Sequence, residues 1–296
     1  MRHGSTRGLH GTLATTDTMA SHLDGLSRAG RNSRPYRKGT PMQMRRWQGE
    51  QLGTWLFVFT MVGWGFLPLP TAAQLSSRAK AIFTELHQEL EATETKLRSH
   101  PYVAAVQSGT IPRDKLRHIV AEEYHIVSSD LRSIGQLLSR FGHTASGPFF
   151  AGAYQGEQAA LAALKKLAST LGMSEADLQD YEPMAGAHAY TAYMAWLAHY
   201  GEDAQVAAAF AVNFPAWGAN CGKLSTALQD QYDLSAEDVA FFSNFAKPIP
   251  GFQEAAATIV DAGLARGVSE RDIKRAVRLL QDYELMFWDA LYAASR

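Results

Sequence analysis

The sequence has very little cysteine, since Cys221 is the single one in 296 residues. One cysteine excludes both an intrachain disulfide framework and a zinc site built from several thiolates. Such usage is typical of a reducing compartment, and we therefore expect a cytoplasmic protein.

The sequence also lacks an excess of positive charge over most of its length. Residues 52–296 contain 19 Lys and Arg against 26 Asp and Glu, which gives a net charge of about −7. Surfaces that bind DNA or RNA are usually basic. The composition therefore argues against nucleic acid as a partner.

Strand-like patterns are missing from the body of the chain. From about residue 76 onward, no segment alternates apolar and polar residues as a half-buried β-strand does. Apolar residues instead recur at helical spacing between short breaks that contain Gly or Pro. We predict one all-α, multi-helical domain over residues 76–296, with helices at 76–99, 112–141, 147–171, 185–200, 203–231, 235–245, 251–266 and 270–294.

The N-terminal part of the chain differs from the body in composition. Residues 1–51 are rich in Arg, Ser, Thr and Gly, and we interpret them as a disordered extension. Residues 52–75 contain the uncharged run LGTWLFVFTMVGWGFLPL, which follows Arg45 and Arg46. This run resembles a signal peptide or an anchor, so the alternative to a cytoplasmic location is export or membrane anchoring through residues 52–70. The alternative is a start codon assigned too far upstream, with leader sequence included.

Carboxylates occur on the apolar faces of the predicted helices. Glu123 and Glu284 each stand where an apolar stripe continues on both sides, and Glu157 is a weaker third case. A carboxylate in such a place must be paired, protonated or used by a ligand. One alone is most simply a structural group bonded to a buried Tyr or Trp. Two in one small domain favour a polar pocket.

Aromatic residues could supply the walls of that pocket, because flat ligands are held by stacking. The candidates are Tyr190, Trp217, Phe241, Phe242, Phe245, Tyr283 and Phe287. Aromatic residues at helical spacing also form ordinary hydrophobic cores, so they do not define a site by themselves.

Several segments resemble the TenA (thiaminase II) family, and they occur in the order in which that family has them. The segments are His100-Pro101-Tyr102, Gly109-Thr110-Ile111-Pro112, Glu122-Glu123-Tyr124, Ala189-Tyr190-Thr191-Ala192-Tyr193 and Tyr283-Glu284-Leu285-Met286-Phe287-Trp288-Asp289. They are similar to the family motifs HPF, DGTLP, QDY, AYT.Y and E..FW, respectively. The resemblance covers about 220 residues, from residue 76 to the end.

The resemblance implies a fold and an activity. It implies a heme-oxygenase-like helical bundle, commonly a homo-oligomer, that needs no cofactor. It further implies hydrolysis of thiamin or of its aminopyrimidine breakdown products in vitamin salvage. The expected partner is therefore a small heteroaromatic molecule.

Site residues also follow from the resemblance. Glu123 matches the carboxylate that holds the pyrimidine amino group, although the family usually has Asp there. Glu284 matches the C-terminal glutamate that transfers protons, and Tyr190 matches a tyrosine that lines the pyrimidine pocket. The other residues expected to contact the ligand are Asn213, Trp217, Tyr124, Tyr283 and Phe287.

The sequence departs from the family pattern at the usual nucleophile, a cysteine in an LPC segment. Ungapped counting from Tyr190 puts Asn213 at that position. Asparagine cannot replace a thiolate as nucleophile. Cys221 lies eight residues further on, about 12 Å along a helix, and is interpreted as a core residue. Hydrolysis is still expected, because the family includes members without this cysteine that are thought to use glutamate.

A second hypothesis is a metal-dependent oxidase with the same bundle, which would hold iron or manganese. Glu122-x-x-His125 is half of the pattern found in carboxylate-bridged iron sites, and Glu157 and His188 could complete the ligand set. No second Glu-x-x-His is present. The first pair also belongs to a polar stripe typical of a solvated face, formed by His118, Glu122, His125, Ser129 and Arg132.

A third hypothesis is a binding or regulatory protein that has the pocket but no chemistry, as the missing cysteine permits. A related variant is a cofactor-free oxidase similar to pyrroloquinoline-quinone synthase, although the His- and Arg-lined pocket of that enzyme is not evident here. Bound metal would favour an oxidase. Metal-free turnover that is lost in Glu284→Gln would favour the hydrolase, and binding without turnover would favour the regulator.

Overall fold

The computed structural model describes residues 77–296, and all the regular secondary structure in this range is helical. The α-helices are α1 (Arg78–Glu89), α2 (Glu91–Arg98), α3 (Pro101–Gln107), α4 (Leu116–Phe141), α5 (Gly147–Thr170), α6 (Glu175–Gln179), α7 (Ala185–Tyr200), α8 (Asp203–Tyr232), α9 (Ala240–Phe245), α10 (Phe252–Ala265) and α11 (Glu270–Ser295). The all-α prediction is confirmed. The expectations for residues 1–51 and 52–75 lie outside the described residues. Within residues 77–296, no helix has both the length and the apolar character that a membrane span requires.

Two short helices escaped the sequence analysis, and both begin at a side-chain cap. The His100 ring accepts a hydrogen bond from the Tyr102 amide at the start of α3, and Pro101 occupies the first helical position. Ser174 and Asp177 form a capping box around the first turn of α6. The helix predicted at 76–99 is interrupted in the structure. It consists of two helices, α1 and α2, which are separated at Leu90.

Five helices, α4, α5, α7, α8 and α11, contribute to both apolar clusters of the interior. The first cluster includes Tyr102, Ile119, Leu164, Phe242 and Trp288. The second includes Ile82, Leu137, Val206, Val260 and Val277. Along their lengths, α11 packs on α7 and α8, while α4 packs on α5 and α7.

A close approach of α7 to α11 depends on a glycine. A Cβ atom added at Gly186 would lie 2.9 Å from the Cβ of Ala290 and 2.9 Å from the carbonyl oxygen of Met286. Both distances are too short for a side chain, so only glycine permits this spacing. The contact brings Tyr190, one turn further along α7, towards the face of α11 that carries Glu284.

Helix α8 contains Pro215 in its interior. Proline has no amide hydrogen, so the carbonyl four residues earlier, that of Ala211, loses its helical partner. The Gln253 side chain replaces it by donating a 2.8 Å hydrogen bond from Nε2 to the Ala211 oxygen. Asn213 therefore lies in a stretch of α8 whose backbone hydrogen bonding is completed from α10.

The first residue of α8, Asp203, is a buried carboxylate with a full set of partners. Its two oxygens accept hydrogen bonds from the Ser146 hydroxyl and the Arg266 guanidinium, and Oδ1 also accepts the Ala204 amide at 2.8 Å. Asp203 is 1% exposed. This group joins the starts of α5 and α8 to the end of α10 and has a structural role.

Candidate active site

A cavity lies among α4, α5, α7, α8, α9 and α11. It encloses about 540 Å³ of space that no protein atom fills, a volume that includes open solvent. Its lining residues are Glu123, Ile126, Val127, Asp130, Glu157, Tyr190, Phe210, Asn213, Phe214, Trp217, Phe245, Glu284 and Phe287. Four of them are acidic, and none is Lys, Arg or His. The cavity therefore combines aromatic walls with an excess of carboxylates.

Glu284 is the carboxylate with the most defined surroundings in the cavity. Trp288, one turn further on in α11, donates its indole N–H to Oε1 at 3.1 Å, and the Asn213 amide donates to Oε2. Burial raises the pKa of Glu284 to about 7, and the two hydrogen bonds act in the opposite direction. A carboxyl group near neutrality can both accept and donate a proton at physiological pH.

Asn213 lies in the cavity beside Glu284, at the position where the family cysteine is expected. Its Nδ2 donates to Glu284 and also, at 3.0 Å, to the side-chain oxygen of Gln281. It is 2% exposed. Asn213 therefore orients the carboxylate and cannot attack a substrate itself.

Glu123 faces the same cavity from α4. Burial raises its pKa well above the usual range, and the charges of Glu157, Asp130, Glu284 and Glu122 raise it further. Among the described residues, no hydrogen bond offsets this shift. The buried Glu123 carboxyl group is therefore stabilised either by taking up a proton or by contact with a ligand.

Two further carboxylates, Asp130 and Glu157, complete the acidic lining. Asp130 is 6% exposed, and its Oδ1 has no hydrogen-bond partner in the described part of the chain. Burial raises the pKa of Asp130 to about 7, while burial and the charge of Asp130 raise that of Glu157. The sequence analysis missed Asp130. Its signal was available, because Asp130 follows Glu123 by seven residues on one apolar stripe, between Val127 and Ile134.

The aromatic walls include three of the predicted ligand contacts, Tyr190, Trp217 and Phe287. The Trp217 ring packs edge-on against Phe287 with centroids 6.4 Å apart. Phe245 also lines the cavity, whereas Phe241 and Phe242 belong to the core. The sequence analysis did not single out two other wall residues, Phe210 and Phe214. Burial raises the pKa of Tyr190 well above its ordinary value, so its hydroxyl remains protonated.

The structure places two other predicted contacts, Tyr124 and Tyr283, outside the cavity. The ring of Tyr124 packs edge-on against His125 at 5.6 Å, and Tyr283 packs against Tyr193 at 5.1 Å. Each tyrosine is the sequence neighbour of a cavity glutamate, and adjacent helical residues point to different faces. Neither tyrosine lines the cavity, so their role as ligand contacts remains a prediction that the cavity does not support.

The prediction that Glu122 lies on a solvated face is wrong. Glu122 is 1% exposed and accepts a 2.8 Å hydrogen bond from the Met184 amide. Burial raises the pKa of Glu122, while its hydrogen bonds with Met184 and Tyr181 lower it. Since α4 presents this side to the segment between α6 and α7, the polar stripe faces protein on part of its length.

The alternative metal ligands, Glu122, His125, Glu157 and His188, are not brought together. Glu157 lines the cavity, Glu122 binds the Met184 amide, and His188 is exposed. Within residues 77–296, no three His, Cys, Asp or Glu side chains form a group able to hold a metal ion. The predicted ligand set is thus corrected.

Comparison with known proteins identifies the family. The sequence model of the TENA/THI-4/PQQC family matches residues 87–294, so the chain belongs to this family. Among solved structures, a TenA homologue from Pyrococcus furiosus has 21% identity and a TM-score of 0.57, over 71% of this chain and 100% of that one. A TenA homologue from Pseudomonas syringae has 13% identity and a TM-score of 0.61, over 72% and 93%. No curated protein sequence matches the chain.

The same fold occurs in a heme protein. Heme oxygenase-1 from the cyanobacterium Synechocystis, solved in complex with heme, has 15% identity and a TM-score of 0.52, over 72% of this chain and 91% of that one. At such identity the likeness shows the fold alone. The prediction of a heme-oxygenase-like bundle of the TenA type is confirmed.

The cavity of this chain does not fit heme. Its lining includes no His, Cys or Met to hold an iron atom from the axial side. The lining also offers no Lys, Arg or His to pair with the negatively charged propionates of a heme group. The site is instead suited to a ligand that carries hydrogen-bond donors or positive charge.

Proposed function

We propose that the protein hydrolyses a small heteroaromatic amine of the aminopyrimidine type, without a cysteine nucleophile. The observation that carries this proposal is the buried Glu284, whose pKa of about 7 and two hydrogen bonds suit proton transfer. Membership of the TENA/THI-4/PQQC family supports the substrate class. The reaction as written below needs water and carboxylates but no cofactor.

Substrate binding follows from the chemistry of the cavity walls. Glu123 accepts a hydrogen bond from the amino group of the ring, and the ring nitrogen beside it can share the carboxyl proton. Tyr190, Trp217 and Phe287 enclose the flat faces. In this arrangement the donor edge of an aminopyrimidine faces Glu123, and its flat faces lie against the aromatic side chains.

Glu284 moves the proton in the reaction. The oxygen of a water molecule forms a bond to the carbon that carries the leaving amine, while the carbon–nitrogen bond breaks. One proton of this water passes to Glu284 and from there to the leaving nitrogen, so the carboxylate returns to its starting state. The products are a hydroxylated heterocycle and a free amine. General acid–base catalysis of this kind contributes about 10²- to 10⁴-fold to a rate.

Asn213 supports this step as a positioning residue. Its amide holds one carboxylate oxygen of Glu284, and Trp288 holds the other. These donors stabilise the ionised form, which is the form that accepts a proton from water. Asparagine in place of the cysteine equally favours a second candidate function, binding of the same ligand without turnover.

Turnover assays test the proposal. Full-length protein, treated with chelator and checked by elemental analysis, is incubated with a panel of aminopyrimidines that includes thiamin. Release of amine is measured, or release of the thiazole in the case of thiamin. We expect wild-type turnover, a loss of about 10²-fold or more in Glu284→Gln, and a raised KM in Glu123→Gln. Asp282→Asn removes an exposed carboxylate two residues before Glu284 and should retain wild-type rates.

Each hypothesis has its own outcome. Binding without turnover would support the binding protein, and oxidation that requires iron or manganese would support the oxidase. Turnover that survives Glu284→Gln would overturn the assignment of this residue as acid and base.

A further inference from the structure

Two cavity carboxylates, Asp130 and Glu157, have no part in the proposed hydrolysis. They lie on α4 and α5, two helices that pack along each other, and both line the cavity. The charge of Asp130 raises the pKa of Glu157, so the two groups are close enough to influence each other electrostatically.

Among residues 77–296, no hydrogen bond is donated to either carboxylate of this pair. Oδ1 of Asp130 is buried without a hydrogen bond among the described residues, and no lining residue of the cavity is Lys, Arg or His. Leaving a buried charged acceptor unpaired is costly, and proteins usually avoid it. In this same structure Glu122 and Asp203 are buried and are supplied with donors. The missing donors at Asp130 therefore indicate a group that arrives with a ligand.

We propose that Asp130 and Glu157 bind a second, protonated nitrogen of the ligand, an ammonium or amidinium group on an arm of the heteroaromatic ring. Two carboxylates can divide the N–H donors of such a group between them. The nearby aromatic walls are compatible with a cation, which ring faces attract.

The spacing along α4 limits the length of the arm. Asp130 follows Glu123 by seven residues, which is about 10 Å along the helix axis. A ring whose amino group meets Glu123 therefore leaves room for an arm of two or three carbons before its cationic end meets Asp130. The inference rests on the proposed function for the ring, but recognition of the cation can be measured without turnover.

Matched ligands test the second subsite by calorimetry on the full chain. One series pairs aminopyrimidines that carry a two- or three-carbon arm ending in ammonium with the same compounds ending in hydroxyl. A second series pairs alkyl diamines with alkyl diols and contains no ring. In both series we expect wild-type protein to bind the cationic member at least about tenfold more tightly, as one charge-assisted hydrogen bond would give.

Variants of Asp130 and Glu157 test whether these two carboxylates cause the preference for ammonium. Asp130→Asn and Glu157→Gln keep shape but remove charge, and each should abolish the preference for ammonium while binding of the hydroxyl compounds changes by less than about twofold. Asp282→Asn, an exposed carboxylate outside the cavity, should retain the preference. Thermal unfolding of each variant shows that it is folded, and either one suffices for the test.

The outcomes separate this inference from the proposed function. If ammonium is not preferred in either series, or if the preference survives both cavity variants, the inference is overturned. Hydrolysis of the ring compounds without any ammonium preference would retain the proposed function alone. A preference for diamines over diols that depends on Asp130, with no binding of ring compounds, would support cation binding by Asp130 and Glu157. The same result would overturn the proposed function.

Discussion

Buried carboxylates occur in two regions of this molecule, and the two regions treat them differently. At the start of α8, Asp203 accepts hydrogen bonds from Ser146, Ala204 and Arg266. In the cavity, Asp130 is almost as buried but has an oxygen without a partner in the described residues. Burial alone therefore does not separate Asp203 from Asp130, whereas the supply of hydrogen-bond donors does.

Neighbouring residues on α4 repeat this contrast within one helical turn. Glu122 and Glu123 are both at most 3% exposed. Glu122 accepts the Met184 amide, while Glu123 faces the cavity and is surrounded by other carboxylates. A site for a cationic or donor-rich ligand is thus recognised by acidic groups that the protein leaves unsatisfied.

The largest effect on stability is expected at Asp203. In Asp203→Ala, the Ser146 hydroxyl and the Ala204 amide lose their acceptor, and half-exposed Arg266 loses its ion pair. Leaving a buried donor without its acceptor costs about 1–3 kcal/mol, so we expect the free energy of unfolding to fall by about 3 kcal/mol, which urea unfolding would measure. Ligand affinity of the folded variant should match wild type, because Asp203 is not among the residues that line the cavity. A loss below about 0.5 kcal/mol would contradict the structural role of this group.

Asp130 should respond in the opposite direction. In Asp130→Asn, an ionised group without a partner for Oδ1 is replaced by a neutral one of the same shape, so we expect a gain of about 1–2 kcal/mol in the free energy of unfolding at pH 8. Glu157→Gln tests the same point on the facing helix. A loss of stability in both variants would show that the protein already satisfies these carboxylates, and the contrast with Asp203 would fail.

The stability gain should depend on pH in a defined window. The pKa of Asp130 is raised from 3.8 to about 7, so the native state binds more protons than the unfolded state between these values. The contribution of Asp130 to stability is therefore fully present below about pH 4, falls as the pH rises to about 7, and is constant above. The difference between wild type and Asp130→Asn, measured by urea unfolding from pH 4 to 8, should follow this course. A flat difference would contradict the raised pKa.

Sequence periodicity predicted the helices that carry the site, because helix formation depends on residues that are close together in the sequence. The predicted helix 185–200 matches α7 residue for residue, and Glu123 and Glu284 face inward as their apolar stripes required. Position counting from Tyr190 also placed Asn213 correctly relative to the cavity, since both lie on regular helices separated by one short turn.

Tertiary partners limited what the sequence could predict. The polar stripe through Glu122 has the same pattern whether it faces water or another segment, and the Met184 amide that it binds is 62 residues away. Asp130 lies on an apolar stripe but was not recognised, because its significance depends on Glu157 across the α4–α5 contact. Tyr124 and Tyr283 were placed in the site by motif, although each points away from the glutamate beside it.

The smallest effect is expected at Asn213. This residue donates a hydrogen bond to the buried carboxylate of Glu284, much as Ser146 and Arg266 do to that of Asp203. Its hydrogen bond lowers the pKa of Glu284 against the effect of burial. In Asn213→Leu, this donor is lost while the number and branching of the side-chain heavy atoms stay the same, so the pKa of Glu284 should rise above about 7. A hydrogen bond of about 0.5–1.5 kcal/mol corresponds to a shift of about 0.4 to 1 pH unit.

The shift is measured on the acidic limb of the pH profile of kcat, where ionised Glu284 becomes available to accept a proton from water. The limb should move to higher pH in Asn213→Leu, and also in Trp288→Phe, which removes the donor to the other carboxylate oxygen. Gln281→Met is the control, because Gln281 contacts Asn213 and has no hydrogen bond to Glu284 in the described residues. A limb that stays in place in both donor variants would mean that the cavity does not tune Glu284 by hydrogen bonding, and that burial alone sets its proton affinity.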